Sequence, residues 1–181
     1  MIILKEEFTI DDALVGLFYH TQHSEDYKKK LNRYRLVSPL IWLACASVIF
    51  YIRSLPIWIY LIILTFCILW YVFYPIRFKK LILKKHREFL KNKIDELGAL
   101  LTKKDVFHLS KEQIIIEGNN TQTTITPNHI EKMLVLNTHL VIFIKSGGTI
   151  SFNKDSANYD TFYNFFTSLN LKKESDLNWK I

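Results

Sequence analysis

The sequence predicts an α+β membrane protein, in which a two-helix transmembrane hairpin carries a cytoplasmic antiparallel β-barrel capped by a C-terminal helix. Three observations lead to this fold class. A block of nearly forty apolar residues is interrupted by one charge, Arg53. Basic residues crowd both edges of that block, and short β-rich runs separated by turn residues begin at Asp105. The apolar block predicts the hairpin, and the basic residues at its edges predict the orientation of the hairpin. The β-rich runs predict the barrel.

Composition narrows the class of protein before any motif is considered. The chain has 181 residues, a net charge of +7 and 49% hydrophobic residues. A soluble basic protein that binds nucleic acid would spread its apolar residues at helix or strand spacing, whereas here they form one block. Cys45 and Cys67 both lie in that block, where a thiol behaves as a small apolar side chain. A disulfide or metal pair is the alternative for these cysteines.

The apolar block is divided into two spans by its single charge. About 17 to 20 apolar residues can cross a bilayer as a helix, and residues 36–52 and 55–74 each meet that requirement. We therefore expect a hairpin over 36–75 with Arg53 and Ser54 at its tip, since an arginine is costly at mid-bilayer but not at its surface. Pro56 suits the first turn of the second helix, and Pro75 is expected to mark its end. A buried hairpin in a soluble protein is the alternative.

Basic residues on the two flanks set the orientation of the hairpin. The connecting loop offers only Arg53, so the positive-inside rule places both termini in the cytoplasm. The flanking residues are Lys28, Lys29, Lys30, Arg33 and Arg35 before the block, and Arg77, Lys79, Lys80, Lys84, Lys85 and Arg87 after it.

The segment ahead of the hairpin, residues 1–35, is predicted to hold a short strand and a helix in the cytoplasm. Thr9 and Asp12 form a capping pair before an apolar run, which marks the start of the helix. His20 and His23 stand three residues apart on that helix. They could ligate a metal, but without a third ligand we expect surface histidines and no metal site.

A basic amphipathic helix is predicted for residues 76–103, directly after the hairpin. Its basic residues recur at alternating spacings of three and four, so they form one stripe, which we assign to contact with lipid headgroups. The alternative is a solvated face that serves only as the topology signal. The stripe consists of Arg77, Lys80, Lys84, Arg87 and Lys91.

The remaining sequence predicts a β domain over residues 104–172, followed by a tail over 173–181. Six strands are expected, in DVFHLS, QIIIE, TQTTIT, HIEKMLVL, HLVIFIK and GTISF, with EFTI near the N-terminus as a possible seventh. A helix follows, and its aromatic stripe (Tyr159, Phe162, Phe166, Leu169) is typical of a core face. Seven short antiparallel strands closed by one helix outline a pleckstrin-homology-like barrel.

The segment from His108 to Leu169 resembles the C-terminal domain of the YcxB-like family of bacterial membrane proteins. The order of elements is similar over nearly the whole chain: N-terminal strand, helix, membrane hairpin, basic helix and β domain. The resemblance implies this architecture and a location in the bacterial cytoplasmic (inner) membrane. It implies no activity.

Motifs for chemistry are missing from the sequence. It contains no Gly-rich phosphate loop, no Gly-x-Ser-x-Gly and no His-Glu-x-x-His, and His108, His129 and His139 are expected to be ordinary strand-surface histidines. We therefore predict no enzyme, no catalytic residue, no cofactor and no nucleic-acid partner. The leading hypothesis is a protein-binding β domain on a membrane anchor, for example an immunity protein against a membrane-acting toxin. The alternatives are a module that senses anionic lipid and a subunit of an oligomeric pore or transporter.

Overall fold

The computed structural model of the chain describes residues 1–53, 56–97, 104–118 and 122–180. It is an α+β structure that divides into two units, a β-rich unit of residues 1–20 and 86–181 and a helical unit of residues 21–85. A 3-10 turn at Pro127–His129 precedes the fifth strand. The other elements are β1 (Ile2–Glu7), α1 (Ile10–His23), α2 (Glu25–Arg53), α3 (Ile57–Leu97), β2 (Lys104–Leu109), β3 (Ile114–Glu117), β4 (Gln122–Ile125), β5 (Ile130–Leu136), β6 (His139–Ile144), β7 (Thr149–Asn153), α4 (Tyr159–Ser168) and β8 (Lys173–Asp176).

Two four-stranded sheets form the β-rich unit, with strand orders β1-β2-β3-β4 and β7-β6-β5-β8. Strands β2 to β7 confirm the six strands expected between Asp105 and Phe152. The N-terminus does supply a further strand, which pairs antiparallel with β2 from Ile2↔Leu109 to Glu7↔Lys104. That strand is residues 2–7 and not EFTI, because Thr9 already belongs to the cap of α1.

The prediction of a closed barrel is wrong for the described residues, in which no strand pair joins one sheet to the other. The outer edge of β5 is occupied by β8, which pairs with it in parallel from Met133↔Lys173 to Leu136↔Asp176. The 3-10 turn between β4 and β5 also begins with Pro127, which has no N–H to donate to a ladder. The segment 173–181, expected to be a tail, thus contributes the strand that takes up this edge.

An aromatic core fills the space between the sheets and α4. Phe107, Phe152, Phe162 and Phe166 are each at most 1% exposed. The rings of Phe152 and Phe162 stack with their centroids 4.0 Å apart. Burial of one such side chain contributes roughly 1.5–3 kcal/mol, so these four rings supply a large apolar contribution to folding of the unit. The aromatic stripe of α4 is core, as predicted.

Helix α1 covers the other face of the second sheet. Val15 and Tyr19 pack with Leu134, Val141 and Phe143 in a separate apolar cluster. A Cβ added at Gly16 would lie 2.6 Å from the Thr149 hydroxyl and 2.7 Å from that of Ser151, so the close approach of α1 to β7 requires a glycine. Because both faces of the sheet are covered, β6 is buried along nearly its whole length.

The helical unit is a hairpin whose apolar surface is largely uncovered. Helices α2 and α3 are both long and apolar enough to cross a membrane, yet only 11% and 6% of their apolar windows are buried. Helix α2 ends at Arg53, as predicted, and Pro56 directly precedes the first residue of α3. The expectation that Pro75 ends the second helix is wrong, since α3 continues through it to Leu97.

Aromatic rings line the seam between α2 and α3. The rings of Trp42 and Trp70 meet edge to face at 4.9 Å, and those of Tyr27 and Phe78 lie 5.1 Å apart. Tyr27, the earlier of the two α2 residues, pairs with the later residue of α3, and Trp42 pairs with the earlier one, so the two helices run antiparallel. Cys67 is buried in the seam, where packing explains its presence.

A side chain of α2 compensates for the proline inside α3. Pro75 has no N–H, so the carbonyl of Tyr71, four residues earlier, loses its helical hydrogen bond. The Nε–H of Arg35 donates to that carbonyl at 2.9 Å, and the guanidinium carbon lies 3.8 Å from the centre of the Tyr71 ring. Arg35 therefore stabilises the helix at the point where the proline weakens it.

This arrangement predicts that the effects of changing Arg35 and Pro75 are coupled. Arg35→Gln should lower the free energy of unfolding of the hairpin by about 1–2 kcal/mol. In a Pro75→Ala background the cost should be smaller by about 1 kcal/mol, because an N–H at position 75 again bonds the carbonyl. Unfolding of the full chain in mixed detergent micelles measures both values, with Arg33→Gln as the exposed control. An equal cost in both backgrounds would contradict the assignment.

Candidate functional sites

Two of the cavities in the described residues are lined by several charged side chains each, one in the helical unit and one in the β-rich unit. The first, which we call the basic groove, has a volume of about 740 Å³ and lies between α2 and α3 in the helical unit. Four cations line it, Lys30 from α2 and Arg77, Lys80 and Lys85 from α3. Its remaining lining is mostly aromatic and aliphatic, from Tyr34, Trp70, Tyr74, Phe78, Leu81 and Ile82.

The charge of the groove is not neutralised within the helical unit. None of the four cations forms an ion pair with any residue that the structure describes. Glu25 and Asp26 are the only acidic residues between positions 21 and 85, against eleven lysines and arginines. Glu25 already contacts Lys29 at 3.3 Å. The groove is therefore a site of concentrated positive potential that favours an anion.

The floor of the groove adds an apolar surface and an unpaired donor. The rings of Trp70, Tyr74 and Phe78 follow one another along α3, with centroid distances of 5.0 and 5.7 Å. The indole Nε1–H of Trp70 is buried and has no acceptor among the described residues. Buried indole N–H groups are ordinarily paired, so this donor marks a place where an acceptor from outside the chain would be favourable.

The residues assigned to lipid contact from the sequence do not form one site. Arg77 and Lys80 line the basic groove, whereas the exposed side chains of Lys84 and Lys91 do not. Arg87 belongs to the β-rich unit, where its guanidinium pairs with the carboxylate of Asp11. Sequence periodicity finds residues that share a face of one helix, but it misses Lys30, Lys85 and Trp70, whose grouping depends on how α2 packs against α3.

The expected hairpin tip falls partly outside the described residues. Arg53 is exposed at the last position of α2, as its assignment to the tip requires. Ser54 lies outside the part of the chain that the structure describes.

The second cavity, which we call the polar cleft, lies in the β-rich unit and has a volume of about 430 Å³. Its lining includes Asp11 and Arg87, which pair with each other, and the polar ends of β6 and β7 at His139 and Asn153. His139 joins the cleft to a buried hydrogen-bonded pair, since its Nε2–H donates to the carboxylate of Asp12 at 3.0 Å. Both side chains are about nine-tenths buried.

The Asp12 carboxylate connects the start of α1 to the second sheet. Its Oδ2 accepts hydrogen bonds from the backbone N–H of Thr9 at 2.8 Å and from the Thr9 hydroxyl at 2.6 Å. Thr9 Oγ1 accepts in turn from the N–H of Asp12, which confirms the predicted capping pair. Burial alone would raise the pKa of Asp12, but the bonds from His139 and Thr9 and the charge of His139 together hold it below its ordinary value.

The hydrogen bond between Asp12 and His139 joins the first turn of α1 to the start of β6, and we call this arrangement the clamp. Thr138 Oγ1, His139 and Asp12 form a chain of hydrogen bonds, with 2.9 Å between the threonine hydroxyl and His139 Nδ1. A hydroxyl, an imidazole and a carboxylate in series also occur in nucleophilic enzymes, but here one carboxylate oxygen is engaged in the helix cap. The expectation that His139 is a strand-surface histidine is wrong, because its side chain is buried against Asp12.

Metal ligands are not grouped in the described residues, where no three His, Cys, Asp or Glu side chains come together. His20, which the sequence offered as a possible metal ligand, lies with its ring centroid 6.2 Å from that of Phe143.

The clamp predicts a specific dependence of stability on pH. Asp12→Asn should lower the free energy of unfolding at pH 7 by about 1–3 kcal/mol, the usual cost of weakening hydrogen bonds to a charged group. The pKa of Asp12 is lower in the folded chain than its unfolded value of about 3.9, so its contribution is full above that value and is lost as the pH falls through the folded pKa. The difference in the free energy of unfolding between wild type and Asp12→Asn should therefore become smaller below about pH 4.

Thermal unfolding of the full chain in detergent at several pH values measures this difference. Asp11→Asn is the matched control, because the side chain of Asp11 is exposed. If the difference in the free energy of unfolding between wild type and Asp12→Asn stayed constant from pH 7 to pH 3, it would contradict the role of the ionised carboxylate.

Comparison with known proteins adds no assignment to either cavity. No protein-family model matches the chain, and no curated protein matches it.

Proposed function

We propose that this chain is a non-enzymatic integral membrane protein of the bacterial cytoplasmic membrane, and that its β-rich unit binds a protein partner. The α2–α3 hairpin is the anchor, and both termini are in the cytoplasm. The observation that carries the proposal is the apolar surface of the hairpin, which the described residues leave almost entirely uncovered. Water would oppose so large an exposed apolar surface, whereas a bilayer would solvate it.

The distribution of charge and aromatic residues supports this orientation. The groove cations Lys30, Arg77 and Lys80 lie at the end of the hairpin away from Arg53. Trp70 and Tyr74 lie near the same end, where amphipathic rings favour the level of the headgroups. This arrangement agrees with the positive-inside rule.

A pleckstrin-homology-like fold is the finer proposal for the β-rich unit. That fold has four strands in a first antiparallel meander, three strands in a second one, and then a helix. In this chain α1, α2 and α3 are inserted between the first two strands, and β8 is added at the edge of the second sheet. Membership of the YcxB-like family is a further part of this proposal, and the same order of elements supports it.

The edge of β4 is the proposed docking surface for the partner. Gln122, Thr123 and Thr124 are all exposed on this outermost strand of the first sheet. By contrast, β1 at the opposite edge has the carbonyl of Lys5 bonded by the Asn158 amide at 2.9 Å. An exposed edge can accept a strand from another protein through main-chain hydrogen bonds.

A protective role is one form of this proposal. A small anchored protein that binds a toxin acting on its own membrane would serve as an immunity protein. Survival on co-expression of the toxin is the test of that form.

A second candidate function is recognition of anionic lipid by the membrane-proximal helices. The observation that favours it is the basic groove, whose four cations have no carboxylate partner in the described residues. Lipid recognition would then regulate the protein, with or without a protein partner.

Labelling of single cysteines in intact cells tests the anchor and its orientation. In a Cys45→Ala, Cys67→Ala background, Arg53→Cys should react with a membrane-impermeant maleimide added outside the cell. Lys91→Cys should react only after the membrane is permeabilised. Reaction of Lys91→Cys from outside, or extraction of the wild type by alkaline carbonate, would contradict the proposed topology.

Site-specific photo-crosslinking tests the docking surface. A benzoylphenylalanine in place of Thr123 should give one discrete protein adduct in the native membrane, because a partner strand would lie beside β4. The matched control is the same substitution at Thr167, an exposed position on α4, which should give no such adduct. Equal labelling from both positions, or none from Thr123, would count against strand addition.

A further inference from the structure

We infer that the basic groove is a binding site for one anionic phospholipid of the cytoplasmic leaflet. The headgroup phosphate lies among Lys30, Arg77 and Lys80, Lys85 adds positive charge at the outer end of the groove, and an acyl chain lies along the aromatic floor. This inference rests on the proposed insertion of the hairpin in the membrane. It replaces the single-helix stripe with a site that both helices build.

The depth of the groove matches the level of lipid headgroups. With the predicted end of the span at Pro75, Trp70 is about 7 Å to one side along α3 and Lys80 about 7 Å to the other. The headgroup layer on each side of a bilayer is roughly 5–7 Å thick. The groove therefore extends from the upper acyl region through the headgroup layer, and Lys85 lies beyond it.

The chemistry of the lining selects an amphiphilic anion. Four unpaired cations favour a phosphate, whose oxygens can accept from several donors at once. Phe78, Leu81 and Ile82 add an apolar surface that a free phosphate would leave unused. An ester or phosphate oxygen would also supply the acceptor that the indole N–H of Trp70 lacks. A phospholipid provides both parts, and the bilayer supplies it at high local concentration.

Competition between two lipids tests the assignment directly. The full chain is reconstituted in nanodiscs that hold equal amounts of phosphatidylglycerol and phosphatidylcholine, transferred to mild detergent, and its retained lipids are counted by native mass spectrometry. We expect wild type to retain phosphatidylglycerol over phosphatidylcholine by about tenfold or more, because several basic residues contribute. The groove variant, Lys30→Gln with Arg77→Gln, Lys80→Gln and Lys85→Gln, should lose that preference to within about twofold.

The matched control removes the same charge outside the groove. It combines Lys28→Gln, Arg33→Gln, Lys84→Gln and Lys91→Gln, and it should keep the preference within about twofold of wild type. An unchanged preference in the groove variant, or an equal loss in the control, would overturn the inference. If the fourfold groove variant does not insert, the pairs Lys30→Gln/Lys80→Gln and Arg77→Gln/Lys85→Gln replace it. In each double variant, the preference for phosphatidylglycerol over phosphatidylcholine should then fall by about threefold or more.

Carbonate extraction separates this inference from the proposed function. If wild type is extracted, the membrane anchor itself is wrong. If wild type remains in the membrane but retains both lipids equally, only the lipid site is wrong.

Discussion

The uncovered apolar surface of the α2–α3 hairpin is the constraint on which the other features depend. Large side chains such as Leu40, Val48 and Ile62 are more than half exposed on both helices, and nothing in the described chain packs over them. Soluble monomers rarely expose a continuous apolar surface of this extent. The environment of the hairpin must supply what the chain does not, and the proposed bilayer would cover the apolar spans of both helices.

In the proposed bilayer each missing backbone hydrogen bond would be expensive, which accounts for the contact made at the proline of α3. Pro75 frees the carbonyl of Tyr71, and Arg35 of the other helix bonds it. The same end of the hairpin collects the groove cations and the rings of Trp70 and Tyr74. Helix pairing, the hydrogen bond from Arg35 and the proposed headgroup site thus use one short stretch of the two helices.

The sequence was sufficient for features that depend on local pattern and insufficient for those that depend on packing. Short β-rich runs bounded by turn residues predicted β2 to β7, and the spacing of Thr9 and Asp12 predicted the cap of α1. No local pattern connects Asp12 with His139, because the contact between them is made only when α1 packs on the second sheet.

Pro75 shows the same limit, since its local signal for a helix end was overridden by a bond from another helix. Closure of the barrel failed as a prediction because KESD has no apolar alternation, and its parallel pairing with β5 is a tertiary feature. The sequence predicted only some of the residues that line the basic groove. Arg77 and Lys80 follow from the periodicity of α3, whereas Lys30 joins them only through the pairing of the helices.

The most direct test of the central claim measures what solvates the hairpin. Nitroxide labels at Leu40, Val48, Ile62 and Leu69, one at a time in liposomes, report collision rates with oxygen and with a polar nickel chelate. The account predicts high oxygen and low nickel accessibility at all four exposed positions, with the greatest ratio of oxygen to nickel accessibility at Ile62, which lies nearest the middle of its predicted span. High nickel accessibility at these positions would mean that water solvates the hairpin, and low accessibility to both oxygen and nickel would mean that another protein surface covers it. Either result would contradict the membrane anchor.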